Sequence, residues 1–498
     1  MGNNLHIKTN DAVIWNNVII RQGDMLDSNL ITDNERIIRK LSFIEDARII
    51  VNYSSANRDS VDVLIITKDL WSKGFDVKIP ALDSGQVVIW ENNIFGIGHQ
   101  IGSDIFWNME KSPSIGYEGI YKIENIFGTF VKGKVNYLHK FEKESYGLNL
   151  FRDFFTPNIE YAGGAELRHT SKVEKIMPTD TTSFWTPVKY NNYDFWVGRA
   201  FPLKVKSSLP GIRSTVIISA RLLNSFFFKR PPIISEQSYY QYHDKTILLG
   251  CVAFSMQNYN TSNLIYSFGR TEDIPYGSLV KITAGLENSE FFRRLYSSIS
   301  FSKGNYLKNI GYYYNSLSIG GFINKRRFEQ GMINCQLNYF TNLLRIKNFR
   351  LRQFANIDYS IGIRRFEGDM MNINNENGIR GLRSDSLTGT QKLALNLETV
   401  AFSPFYVFGF RFAFFGFVDL GLIGSSKESI FSNDLYSGLG VGIRFRNENL
   451  VFKTFQIRFA FYPLVPQDAI KQLMYLSGEK VLALEDFYVK APKILLFN

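Results

Sequence analysis

The late part of this chain alternates apolar and polar residues with period two, and that pattern narrows the fold before anything else. In Lys392 to Ala401, Leu393, Leu395 and Leu397 point one way, and Lys392, Asn396 and Glu398 the other. In Arg411 to Leu422, Phe412, Phe414, Val418, Leu420 and Leu422 share a face opposite Arg411 and Asp419. Leu439, Val441, Ile443 and Phe445 oppose Gly438, Gly440, Gly442 and Arg444, and Phe455, Ile457, Phe459 and Phe461 oppose Gln456 and Arg458. Earlier, Ala355, Ile357, Tyr359, Ile361 and Ile363 oppose Asn356, Asp358, Ser360 and Arg364. Side chains of a strand point alternately to opposite faces, so each segment is a strand with one apolar face and one face carrying charge.

A soluble sandwich also alternates. Three features favour a membrane barrel instead. The strands are long. Aromatics gather at strand ends (Phe402, Phe405, Tyr406, Phe461, Tyr462), in a chain with 43 Phe and 26 Tyr. The polar faces are rich in glycine and charge. Lipid outside, with water or a folded loop inside, accounts for all three. A transmembrane helix does not fit, because the longest apolar stretch, Pro404 to Gly424, is broken by Arg411 and Asp419. Weaker strands fill the interval from Val87 to Phe340, for a tally of eighteen to twenty. Thr170 to Thr186, Lys229 to Asp244 and Asp369 to Gly389 read as long polar connections.

After Pro463 the alternation fails. Asp468 to Leu476 reads as a short helix. Phe487 to Phe497 reads as a last strand interrupted by Pro492. Proline lacks a ladder donor, so that strand belongs at an edge or an imperfectly closed seam, and Pro80 near the first strand (Phe75 to Leu82) fits the same seam.

The first 74 residues have a different texture. Ala12 to Trp15 is a short apolar run. Asp27 or Ser28 can cap a helix whose apolar positions Leu30, Ile31, Ile37, Ile38 and Leu41 recur at helical spacing. Phe43 to Ala47 reads as a further helical turn, and Ile49 to Tyr53 and Val61 to Thr67 as strands around the polar hairpin Ser54 to Ser60. The expected order is strand, helix, helix, strand, strand.

These features together resemble the BamA/TamA superfamily of outer-membrane assembly factors and transporters. That family joins periplasmic polypeptide-transport-associated (POTRA) domains to a barrel, usually of sixteen strands. Residues 1–74 look like one such domain and 75–498 like the barrel; Glu91 to Gly98 resembles the family's early Asn-x-x-Gly-x-Gly turn. The most specific match is Gly378-Ile379-Arg380-Gly381-Leu382, similar to a Val-Arg-Gly-Phe/Tyr motif on a loop that tucks into the lumen, here 367–389. The resemblance implies that Arg380 meets acids of later strands, for which Glu398 and Asp419 stand in the matching positions. It departs in three ways: there is room for one POTRA domain only, the motif ends in leucine, and Asn498 follows the last phenylalanine.

The implied function has no chemical step: insertion of client barrel proteins at a lateral seam. The partners would be phospholipid and lipopolysaccharide, unfolded outer-membrane or secreted clients, and periplasmic accessory lipoproteins. A secretion transporter of the same superfamily and a passive porin are the alternatives. The net charge of +11 is scattered, with no cluster longer than Lys325-Arg326-Arg327, which argues against nucleic acid. No catalytic residue, cofactor or metal is expected: His6, His99, His139, His169 and His243 are isolated, and nucleophile elbow and phosphate loop are missing. Met1 to His6 carries no apolar leader core, so an outer-membrane reading expects a signal peptide already removed.

Overall fold

The computed structural model describes residues 7–497, apart from 54–59, 82, 180–181, 204–211, 237, 266–267, 269, 367, 448–454 and 478–484. The chain opens with helices α1 (Asp11–Asn16) and α2 (Ser28–Arg39), followed by strands β1 (Ile44–Asn52) and β2 (Asp62–Asp69). Asp27 caps α2 by accepting the Asn29 N–H at 2.9 Å. Ile38 of α2 closes a small core with Leu41, Phe43, Ile44 and Ala47, onto which Val13, Ile14 and Ile65 pack.

Two expectations are corrected here. Ala12 to Trp15 lies in α1 instead of a strand, and Phe43 to Ala47 runs into β1 instead of forming a helical turn. The order is therefore helix, helix, strand, strand. A four-residue apolar run fits either period, and Val13 and Ile14 reach the core equally well from a helix. The hairpin Ser54 to Ser60 falls almost wholly outside the described residues.

The remaining strands begin with β3 (Lys73–Ala81), β4 (Ser84–Ile94), β5 (His99–Asn108), β6 (Ile115–Ile123), β7 (Lys132–Lys140) and β8 (Lys143–Arg152). Longer ones follow: β9 (Tyr161–Thr179), β10 (Thr182–Leu203), β11 (Arg213–Lys229), β12 (Lys245–Ser262), β13 (Glu272–Ser289), β14 (Arg293–Leu307), β15 (Gly311–Asn324) and β16 (Arg327–Thr341). Then come β17 (Leu344–Ile346), β18 (Phe349–Ile363), and three two-residue strands, β19 (Met371–Asn372), β20 (Leu382–Arg383) and β21 (Thr388–Gly389). The chain ends with β22 (Gln391–Val407), β23 (Phe410–Gly424), β24 (Leu435–Asn447), β25 (Phe455–Leu464), β26 (Ile470–Lys471) and β27 (Met474–Ser477).

About twenty of these form one antiparallel up-and-down sheet, and its order brings the short β27 beside β3, so the sheet wraps into a barrel. Sixteen strands, the number the resemblance implied, is not what the sheet holds; the count from periodicity is nearer. Thr170 to Thr186, expected as a connection, is mostly strand: β9 and β10 pair from Arg199↔Tyr161 out to Thr182↔Thr179. Its polar residues suited a loop, but they bond across strands instead, as the Thr170 hydroxyl does with that of Ser145 of β8 at 3.1 Å. Asp468 to Leu476, expected as a helix, contains β26 and part of β27.

The two faces of the wall differ as the alternation requires. Outward-pointing Val252, Ile282, Val441, Phe459 and Phe461 are all more than half exposed, while inward Gln456, Arg458, Glu398 and Asp419 are buried. The interior is filled. Phe154, Leu264, Ile265, Phe268, Phe487 and Val489 from outside the strands join inward-facing Tyr312, Tyr314, Phe354, Val400 and Phe415 in one buried cluster. Cys251 and Cys335 are both free.

Candidate functional site

The Arg380 loop follows β18 at one end of the barrel. β19 pairs with β21 at its base, and the tip turns back over the inner wall. Asn374 holds that turn: its Nδ2 donates to the Ser384 carbonyl at 2.9 Å and its Oδ1 accepts the Ser384 N–H at 3.0 Å. Ile379 and Leu382 are fully buried with Ile373, Leu387, Ile423 and Tyr462, so the loop carries its own apolar anchor.

That anchor sets the cation. Arg380 Nε donates to Asp419 Oδ2 and Nη2 to Asp419 Oδ1, both at 2.8 Å, and Nη1 donates to Glu398 Oε2 at 2.6 Å. The Arg380 backbone N–H also reaches Asp419 Oδ2 at 3.0 Å. Asp419 is fully buried and Glu398 nearly so. Burying two carboxylates costs several kcal/mol each unless they are paired, and here each is. Asn396 Nδ2 donates to Asp419 Oδ1 at 2.8 Å and to the Gly378 carbonyl at 2.7 Å, joining strand, acid and loop. The guanidinium lies 4.2 Å from the centre of the Phe417 ring, a cation over an aromatic face.

Gly381 has no room for a side chain. Its φ is +77°, and a Cβ there would stand 2.3 Å from the Tyr462 hydroxyl and 2.7 Å from Arg458 Nη2. Tyr462 OH uses that space to donate to the Arg380 carbonyl at 2.8 Å. Gly378 is in extended backbone; a Cβ there would press on Ile373 at 2.7 Å.

The structure thus brings Gly378, Ile379, Arg380, Gly381, Leu382, Glu398 and Asp419 into one cluster. The sequence reading passed over Arg444, whose Nη1 donates to Glu398 Oε1 at 2.7 Å and which lies over Phe415 at 4.1 Å. Arg444, Arg458 and Asn396 were already on the polar side of the alternation, and that was the available signal.

The loop is also tied to the barrel's closing end. β20 pairs with β26 through Leu382↔Lys471 and Arg383↔Ile470, and the Gln472 N–H donates to the Gly381 carbonyl at 2.8 Å. Asp468 accepts from the hydroxyls of Ser384 at 2.6 Å and Ser386 at 2.7 Å. Those hydroxyls hold its carboxyl down at about 2. Past β26, β27 pairs with β25 over four residues among those described, from Gln456↔Ser477 to Phe459↔Met474.

The seam residues part company. Pro80 lies in β3, whose register with β4 is irregular between Lys78 and Ala81. Pro492 is not at the seam. It lies outside the described strands, and its carbonyl accepts from Arg221 Nη1 of β11 at 2.7 Å. The whole expected last strand, Phe487 to Phe497, is inside the barrel. Proline removes a ladder donor, and the wall's side chains supply hydrogen bonds in place of a ladder.

The leading unit docks at the opposite mouth. The Asn10 N–H donates to the Gly96 carbonyl at 2.9 Å, and Asn93 Nδ2 to Thr9 Oγ1 at 2.8 Å. A Cβ on Gly96 would meet the Lys8 carbonyl at 2.4 Å, so at the Glu91 to Gly98 turn the two parts are in backbone contact. From α2, Arg39 forks onto Asp273 of β13 at 2.7 and 3.2 Å, and Asp33 pairs with Arg213 of β11 at 2.7 Å. Among the described residues there is no cluster of three potential metal ligands.

Neither a family model nor a curated protein matches this sequence. Among solved structures the chain is similar to BamA from Haemophilus ducreyi lacking POTRA domains 1–3, at 10% identity and a TM-score of 0.43, covering 94% of this chain and 81% of that one. It is also similar to CdiB from Acinetobacter baumannii, at 10% identity and a TM-score of 0.48, covering 95% and 71% of the two chains. CdiB from Escherichia coli aligns at 10% identity and a TM-score of 0.45, covering 94% and 73%.

Proposed function

We propose that this protein assembles other β-barrel proteins into the bacterial outer membrane, by offering them a strand edge and with no chemical step. The observation that carries the reading is the tie between the Arg380 loop and the seam. The loop is pinned to the inner wall by Asp419 and Glu398, and through β20 and β26 it holds the segment that leads into β27. Among the described residues the strand beside β3 is four residues long, so the ladder they form at this seam is short. A client strand that pairs there enters the bilayer sideways without exposing unpaired backbone to lipid. The apolar outer wall would face phospholipid and lipopolysaccharide.

Residues 1–74 would stand in the periplasm as one POTRA-like domain and receive unfolded clients along the β1–β2 edge by strand addition, with accessory lipoproteins as further partners. The filled interior speaks against a passive porin. The test is Arg380→Glu, read in cells by the barrel's heat-modifiable mobility and by the levels of other outer-membrane proteins. A folded barrel with a general fall in those proteins is expected. Loss of one secreted protein alone would replace this reading with a secretion transporter.

A further inference from the structure

The C-terminal segment 485–497 runs along the inside of the barrel, and the wall grips its backbone as well as its side chains. Ser255 Oγ of β12 donates to the Phe487 carbonyl at 2.5 Å. Arg221 Nη1 of β11 donates to the Pro492 carbonyl at 2.7 Å, while the same guanidinium pairs with Asp194 of β10. Tyr296 OH of β14 accepts the Leu495 N–H at 2.9 Å. Backbone contacts of this kind ask nothing of the sequence they hold.

Deep in the barrel the side-chain contacts ask mainly for shape. Phe487 and Val489, two residues apart, are fully buried, and the Phe487 ring lies 5.8 Å from that of Tyr314. Two glycines make the room. A Cβ on Gly304 of β14 would stand 2.8 Å from Phe487 Cζ, and one on Gly362 of β18 2.5 Å from Phe497 Cε2. The Phe497 ring lies 4.0 Å beneath the Arg365 guanidinium. At the mouth, Asp486 pairs with Lys40 of α2 at 3.2 Å and accepts from Tyr259 OH at 2.9 Å.

We infer that the wall of β11, β12, β14 and β18 is a binding site for an extended polypeptide segment with an aromatic residue followed two positions later by a β-branched one. Residues 485–497 are its resident occupant, and a client segment of the same pattern takes their place. That pattern is also that of a membrane strand's apolar face, which is why the client is an unfolded barrel strand; to this extent the inference rests on the function proposed above.

The experiment uses the full chain with a specific protease sequence placed within 478–484, folded in detergent, then cut. A fluorescein-labelled peptide of residues 485–498 is added and followed by anisotropy. Saturable binding is expected, displaced both by the unlabelled peptide and by a peptide of a barrel strand carrying the aromatic–x–Val pattern. The Phe487→Ala peptide should bind about 10-fold or more weakly, since a fully buried aromatic anchor is lost. A Gly304→Leu barrel, checked for folding by heat-modifiable mobility, should bind the peptide as poorly. Failure of the labelled peptide to exchange into the folded, cut chain would overturn the inference and make the tail a fixed filling. Exchange of the chain's own peptide without competition by the strand peptide would overturn it too. Neither failure touches the assembly reading, which is read from outer-membrane protein levels in cells.

Discussion

Arg380 and Asp419 meet fork to fork across the inside of the barrel, with two parallel N–H···O contacts of 2.8 Å. One residue comes from a polar loop and the other from the middle of β23, so this pair fixes where the loop sits. Lysine is a point charge and cannot make both contacts. Arg380→Ala is expected to destabilise the barrel by about 3–5 kcal/mol, because buried Asp419 loses its cation and Glu398 keeps only Arg444. Arg380→Lys should recover only part of it. Thermal unfolding in detergent measures both.

The loop's apolar anchor should be breakable without touching charge. A Cβ on Gly438 would stand 2.9 Å from Ile379 Cγ2 and 3.0 Å from Tyr462 Cε1. Gly438→Val is therefore expected to cost about 1–3 kcal/mol by overpacking, and to make the loop a site of limited proteolysis. An unchanged cleavage pattern would show that the loop is held by its ion pairs alone.

Asp468 gives a pH expectation with a definite sign. Its carboxyl is held at about 2 in the folded chain, below the unfolded value of about 3.9. Its contribution is complete above the unfolded value and is lost only as pH falls through about 2. Loop resistance to proteolysis should be equal at pH 7 and pH 5, and should drop at both in Asp468→Asn. Loosening of the wild-type loop between those pH values would contradict the assignment.

At the other end, Arg39 and Asp273 are both nearly buried where α2 meets β13. Arg39→Glu is expected to weaken docking of the leading unit by about 2–5 kcal/mol, as for other desolvated charge pairs. Adding Asp273→Arg should restore part of the loss. Hydrogen exchange over residues 28–52 reads both steps; equal exchange in wild type and Arg39→Glu would mean the pair does not hold the unit.

What the sequence disclosed was what period and charge can encode. Leu439, Val441 and Ile443 opposite glycines placed β24 with its apolar face outward, and Asp419 amid phenylalanines marked a buried acid. The leading unit was less legible, because Ala12 to Trp15 is too short to separate period two from period 3.6. The tail was misread for a physical reason. Phe487 and Val489 alternate as a strand does, yet their segment is held through the backbone of Phe487, Pro492 and Leu495 by Ser255, Arg221 and Tyr296, residues more than 190 positions away that no local pattern names. Likewise the polar texture of Thr170 to Thr186 hid two strands whose ends carry charge.

If client strands enter at the β27–β3 seam, they must touch β3 while they fold. The most direct test places a photoreactive amino acid at Phe75 in β3, and in parallel at inward-facing Ser255, in the full chain mixed with an unfolded barrel client in lipid vesicles. Capture of the client's terminal strand from position 75 is expected while the client is folding, and loss of that capture with Arg380→Glu. Capture from position 255 accords with the inner-wall site, but capture there with none from position 75 would contradict entry at the seam.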